Sequence, residues 1–262
     1  MTSNDRSQQK ALPQYMQIAE DIRNKIREGL LQVDDPVPSA SALCEQYSVS
    51  MITSKKALQV LQSEGLVYSV PGKGTYVAEM NVMLRTMPYR HFEQDERTYV
   101  REAGRAGRTP HAEHATRTEK ASDWVARRLD IDTGEEVTAT TYKISADDRP
   151  MSMSVSWEPL RITGGTVIEH PHEGPHGNHG LNARFRAIGW TLSQIEERLI
   201  VRQPTASEAA ELAIPPGVPV MEIRQTVRAR EGDSDDLVPI EAADIIFPTD
   251  RYEFVYMMDR PK

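Results

Sequence analysis

The chain has 262 residues, 39% hydrophobic and 27% charged, with a formal net charge of −8, which is room for two domains but no broadly basic surface. No apolar run approaches the roughly 20 residues of a membrane-spanning helix, which excludes such a helix and makes a membrane partner unexpected. The single cysteine, Cys44, excludes an intramolecular disulfide and a Cys-rich zinc site, and fits a reducing, cytoplasmic setting.

Residues 1–12 are polar, lack the apolar segment of a signal peptide and read as a disordered tail. A helix is expected over 13–29. Tyr15, Ile18, Ala19, Ile22 and Ile26 share one face, Pro13 suits the first turn and Gly29 stops it. Pro38 and Ser39 open a short second helix with Leu43, Cys44 and Tyr47 inward. Val49 and Ser50 form a turn, and the Ser50 hydroxyl can cap a third helix that ends at Gly65. Ala57, Leu58 and Leu61 make its apolar face, while Met51, Thr53, Ser54, Lys55 and Gln59 make the other. A strand over 65–70, a turn over 71–74 and a strand over 75–78 form a hairpin. Three helices and a hairpin predict a winged helix over 13–78. Residues 79–97 have no sustained period and read as a linker in which a short strand fits around 80–84. Thr98 can cap a helix over 99–106, closed by residues 107–110.

An internal repeat follows. At an offset of 83 residues, Ser122, Ala126, Leu129, Ile131, Gly134 and Val137 match Thr205, Ala209, Leu212, Ile214, Gly217 and Val220. Each copy reads as a capped short helix, an L-x-I-x-x-G turn and a strand, and Thr205 with Glu208 has capping-box spacing. The strands continue into hairpins over 138–157 and 221–247. Neither hairpin can bury a face alone, so the two are expected to join in one antiparallel sheet with pseudo-twofold symmetry. The fold class is therefore α+β: a winged helix, then an α+β domain over 98–262, with a ligand pocket expected between sheet and helices.

Four strings carry a family resemblance. They are P-x-Y-x-Q-I-A-x-x-I-R-x-x-I-x-x-G-x-L from Pro13, P-S-x-x-x-L from Pro38, V-S-x-x-T-x-x-x-A-L-x-x-L-x-x-E-G-L-V from Val49, and G-K-G-T-Y-V from Gly72. In order and spacing, residues 13–78 resemble the DNA-binding domain of GntR-family bacterial transcription regulators. Residues 98–256 are similar to the effector-binding domain of the family's HutC-type branch, whose fold is like that of chorismate lyase. The matching residues are Gly107 with Pro110, the two L-x-I-x-x-G-x-x-V segments, Ala146-Asp-x-x-Pro150, and Asp250-Arg-Tyr252. The resemblance implies a homodimeric repressor that binds a double-stranded operator and senses a small molecule. Ser39, Ser50, Met51, Thr53, Ser54, Lys55 and Lys56 would meet DNA from the helices, and Gly72, Lys73 and Gly74 from the wing. Ala40 and Ser41 stand where the family commonly has an acidic–basic pair, Met51 where it has arginine, and Lys55 and Lys56 where it often has arginines. Arginine is the commonest reader of guanine, so the operator should differ from the family's usual one.

Phosphosugar-sensing relatives carry two arginines and a glutamate at positions matching Tyr142, Ile144 and Ser154, and all three charges are absent here. An anionic ligand needs fixed cations or amide donors, so a phosphosugar is not expected. Thr98, Tyr142, Ile144, Ser154, Trp157 and Phe247 are the expected effector site, which suits an uncharged or partly apolar compound. His170, His172, His176 and His179 lie with Glu169 and Glu173 in eleven residues rich in Gly and Pro. Imidazoles could hold zinc, nickel or copper, but there is no Cys partner or H-x-x-x-H register, so a surface loop without metal is expected. No G-x-S-x-G, H-E-x-x-H or phosphate-cradling Gly loop occurs, and no cofactor or enzymatic activity is expected. The alternative is an enzyme or metal sensor built on the lyase-like domain, with DNA binding secondary.

Overall fold

The computed structural model describes residues 12–78, 83–87, 92, 95–215 and 217–257. The tail over 1–11 and the linker positions 79–82, 88–91, 93 and 94 lie outside the described residues. Two compact units form, one of Met1–Asn81 with Gln203–Val218, the other of Val82–Arg202 with Pro219–Lys262.

In the first unit, α1 (Gln14–Arg27) turns Ile18, Ala19 and Ile22 inward. A two-residue strand β1 (Pro36–Val37) precedes α2 (Ala40–Tyr47), whose first turn is capped by the Ser39 hydroxyl accepting from the Ala42 amide. Ser48 adopts a left-handed conformation (φ 51°) and turns the chain sharply into α3 (Met51–Ser63), capped by Ser50 accepting from the Thr53 amide. Each cap satisfies an amide that the helix itself leaves unpaired, an effect of about 1 kcal/mol. Strands β2 (Val67–Val70) and β3 (Gly74–Val77) make the hairpin, with β1 on the far side of β3. Leu43, Ala57, Leu61, Val67 and Val77 close the core between helices and hairpin. Arg23 of α1 reaches Glu64 after α3 at 2.7 Å, and the Tyr47 hydroxyl donates to Asp21.

The second unit starts with β4 (Met83–Met87), inside the stretch expected to be a linker. It pairs in parallel with β11 (Tyr252–Tyr256), near the far end of the chain. Helix α4 (Thr98–Arg105) follows, with Arg97 rather than Thr98 at the cap position. Strand β5 (Pro110–Lys120), α5 (Asp123–Leu129), β6 (Glu136–Ala146) and β7 (Arg149–Pro159) come next. After the single-turn α6 (Leu160–Thr163) and α7 (Leu181–Arg186) come β8 (Trp190–Arg202), α8 (Ala206–Glu211), β9 (Val220–Glu231) and β10 (Val238–Pro248). Six strands form one antiparallel sheet in the order β5-β6-β7-β10-β9-β8.

The two hairpins expected from sequence are its four inner strands. Its edges, β5 and β8, were not foreseen, because β5 is exposed at most positions and carries no alternating apolar pattern. The capped helices differ in setting. α5 buries Val125, Ala126 and Leu129, whereas α8, capped by Thr205 and Glu208 in a reciprocal box, buries no residue and groups with the first unit.

Helix α7 is tied to the sheet by a buried ion pair. Arg184 donates to Glu158 from Nη1 at 2.7 Å and from Nη2 at 2.9 Å, and from Nη2 to the Ile168 carbonyl at 2.8 Å. Both side chains are almost wholly enclosed. Removing one partner strands the other charge in low dielectric. Arg184→Met should therefore cost about 3–5 kcal/mol of stability, and Arg184→Met with Glu158→Met should recover most of it. Denaturant melts of the three proteins check this, and an unchanged midpoint in the single variant would contradict it.

Candidate DNA-reading surface and effector pocket

Helix α3 presents two opposite faces. Ser54, Ala57 and Leu61, at i, i+3 and i+7, are buried against α1 and α2. Ser54 is therefore misplaced in the sequence reading: it is 0% exposed and lies 3.3 Å from the Cys44 sulfur, so it offers no surface to DNA. A polar side chain suggested the outer face, but Ser54 is small enough to let α2 and α3 approach closely. On the outer face Met51, Lys55, Lys56 and Gln59 are exposed and Thr53 is half-buried. Lys56 is committed in part, its Nζ sitting 4.0 Å above the Tyr15 ring. The hydroxyls of Ser39 and Ser50 are engaged as helix caps, which places both serines at helix entries.

The hairpin tip carries Gly72, Lys73 and Gly74, all exposed. Gly72 (φ 74°) and Gly74 (φ 133°) hold conformations that side chains resist, and no Cβ crowds the approach to the tip. Below it Tyr68 and Tyr76 stack at 5.8 Å, and the Tyr76 hydroxyl donates to the Lys73 carbonyl at 3.2 Å.

In the second unit a cavity of about 170 Å³ opens on one face of the sheet, walled by the start of α4, β4 and the start of α7. Strand alternation sorts the lining. Tyr142 and Ile144 come from β6, Ser152, Ser154 and Ser156 from β7, and Glu241, Ala243, Ile245 and Phe247 from β10, all at period 2. Of the expected effector residues, Thr98, Tyr142, Ile144, Ser154 and Phe247 line the cavity, and Trp157 does not. Trp157 is next to Ser156 in β7 and so faces the other way. It packs on the Ala121, Val125 and Leu129 cluster under α5, and its indole nitrogen donates to Glu119 at 2.9 Å.

The cavity's cations have protein partners, although Arg85 Nε itself is buried without one. Arg85 is bound through Nη1 to both oxygens of Glu102, at 2.9 and 3.1 Å, and its guanidinium stacks 4.7 Å from the Phe247 ring. Arg97 donates to the carbonyls of Pro171 at 2.6 Å and Gly177 at 2.8 Å. The acceptors are less satisfied. Glu241 takes one hydrogen bond, from Gln225 Nε2 at 3.0 Å, and Gln225 Oε1 is buried with no partner. Glu241 is half-buried and lines the cavity. Burial, then the nearby Glu158 charge, pushes its carboxyl up to about 7. Gln225 and Glu241 were missed because a Gln and a Glu in strands carry no signal of which face they take.

Residues 170–179 were expected to be an open loop, yet Pro171 and Gly177 are buried beneath the Arg97 contact. The His172 ring stacks on His114 at 3.6 Å and lies 5.2 Å from Tyr142. Burial, then Arg97, His114 and Arg184, drives the His172 pKa down to about 3, so its ring is neutral. His176 and His179 bring their Nδ1 atoms within 3.2 Å, while His170 is exposed. Among the described residues no three His, Cys, Asp or Glu side chains converge as metal ligands.

Residues 14–77 match the model for bacterial regulatory proteins of the gntR family, and residues 105–253 match the UTRA domain. The HTH-type transcriptional repressor NagR of Bacillus subtilis is 29% identical over 97% of this chain and 98% of its own. The mannosyl-D-glycerate transport/metabolism system repressor MngR of Escherichia coli is 25% identical over 95% of this chain and 97% of its own. The crystal structure of a GntR-family transcriptional regulator, 32% identical, aligns with a TM-score of 0.68 over 96% of this chain and 99% of that one. PhnF from Mycobacterium smegmatis, 20% identical, shares the fold at a TM-score of 0.58 over 93% of this chain and 100% of that one. A capped helix and wing in one unit, a cavity of mixed polar and apolar lining in the other, and family matches in that order make this chain a member of the GntR family, a DNA-binding transcription regulator with a UTRA effector domain.

Proposed function

We propose that the protein is a homodimeric, cytoplasmic repressor that leaves its operator when an uncharged, partly apolar compound rich in hydrogen-bond donors fills the cavity. It is a regulator on this reading and catalyses no reaction. The observation that carries the effector class is which polar groups of the cavity already have protein partners. Arg85 and Arg97 bind protein partners, whereas Gln225 Oε1 has none and Glu241, Ser154 and Ser156 line the cavity beside it. Tyr142, Ile245 and Phe247 supply apolar wall. Drawing those cations to a phosphate group would leave Glu102 unpaired or two carbonyls bare. A twofold dimer would read a palindromic operator with half-sites about one helical turn apart. An effector releases DNA only by binding the DNA-incompetent state more tightly. The internal duplication belongs to the same reading, supported by a sheet whose two halves each run edge, middle, centre in chain order.

A thermal-shift screen of metabolites, followed by DNA release with each hit, tests the effector. Glucosamine-6-phosphate should neither raise the melting temperature nor release DNA. Gln225→Leu should keep operator affinity and weaken release by the true effector about tenfold, as loss of a buried hydrogen-bond partner does. Release by micromolar phosphosugar, or full response in Gln225→Leu, would contradict the proposal.

The shifted groups also predict a pH signature. Glu241 takes up protons on folding, so its contribution is complete below pH 4.5 and is lost as pH rises to about 7. His172 acts oppositely, its contribution being complete above pH 6.5 and lost as pH falls toward 3. Over pH 4.5–6.5 the two slopes oppose. The melting temperature of Glu241→Gln minus that of the wild type should therefore grow from pH 4.5 to 7 and then level off. A difference that stays constant with pH would show that the Glu241 carboxyl is not held neutral.

A further inference from the structure

The outer stripe of α3 has an apolar centre. Ile52, the second residue of the helix, is 80% exposed, and Met51 beside it is 43% exposed. Ile52 lies directly opposite the buried Ala57 and Leu61 face, in line with Lys55 at i+3 and Gln59 at i+7. A lone exposed isoleucine is ordinary on a protein surface. This one occupies the middle of the face that a groove must meet, in the turn that leads a recognition helix toward base edges.

The rest of the stripe narrows what it can read. Helix α3 contains no arginine. Lys56 leans onto the Tyr15 ring, and Ser50 and Thr53 are bound to each other at the cap, their hydroxyl oxygens 2.9 Å apart. Lys55 is thus the cation best placed within the stripe, and the first turn presents carbon. In the major groove the base that presents carbon is thymine, through its C5 methyl. An aliphatic side chain facing guanine or cytosine would bury their polar edges without a partner, which is unfavourable.

We propose that Ile52, flanked by Met51, reads a thymine methyl in each half-site, so that specificity at this position rests on apolar contact and not on a bidentate guanine contact. This rests on α3 being the DNA-reading helix. One buried methyl contributes about 0.8 kcal/mol, or about a fourfold change in affinity.

The test begins by selecting duplexes from a random pool with the full-length protein. The best site is then resynthesised with deoxyuridine replacing each thymidine in turn, which removes the methyl and nothing else. We expect at least one position per half-site where uracil weakens wild-type binding about fourfold. Ile52→Ala, truncating an exposed side chain and so leaving the fold intact, should bind the thymine and uracil sites equally, while Lys55→Ala should keep the preference. If no uracil substitution weakens binding, or Ile52→Ala keeps the penalty, the proposal is overturned while DNA binding by α3 stands. If no duplex is enriched at all, the DNA-reading assignment fails and the proposal falls with it.

Discussion

The second unit is organised by the pairing of β7 with β10 at the middle of its sheet. Ala242 lies opposite Trp157, and Ile245 opposite Ser154. Successive side chains in a strand point to opposite faces, so this one register decides which half of each strand meets the cavity and which meets the core. Ser152, Ser154, Ser156, Glu241 and Ala243 fall on the cavity side, while Trp157 and Ala242 fall under α5. A one-residue slip of β10 against β7 would bring Glu241 onto the Trp157 face, in the apolar core under α5. The cost of burying that carboxyl among apolar groups opposes such a slip.

The same enclosure gives the cavity its chemistry. Charges inside it survive by pairing, as Arg85 does with Glu102, and nearby as Arg184 does with Glu158. Glu241 has only an amide partner and is driven toward neutrality. Polar and apolar groups therefore share the lining, which on the proposed function favours hydrogen-bond donors over anions. On the DNA-reading side the logic is similar. The Ser39 and Ser50 hydroxyls are taken by caps and Lys56 lies over Tyr15, while Met51, Ile52, Lys55 and Gln59 are exposed along the first turns of α3.

The winged helix was legible in the sequence because local signals agree there: Ser39 and Ser50 as caps, glycine at the wing, and apolar residues at helical spacing. Ser54 was misread because polarity was weighed above its i, i+3, i+7 alignment with Ala57 and Leu61. In the second unit both hairpins were legible from alternating strands around turn residues. The edge strands were not: β5 is polar along most of its length and owes its conformation to pairing with β6. Strand β4 is set by a partner at the other end of the chain, which local sequence cannot reveal. Tyr142, Ile144 and Ser154 were assigned to the pocket and line it. Trp157 was assigned on aromatic character alone, and strand parity overrules that.

On the proposed function, one molecule in the cavity and one operator compete through the protein's own equilibrium. Linkage then demands reciprocity: the factor by which effector weakens operator binding is the factor by which operator weakens effector binding. Titrating the screened effector into the free protein and into its operator complex by calorimetry measures both. Effector should bind the complex more weakly than the free protein, by the same factor found for DNA release. Equal effector affinity with and without operator would contradict it.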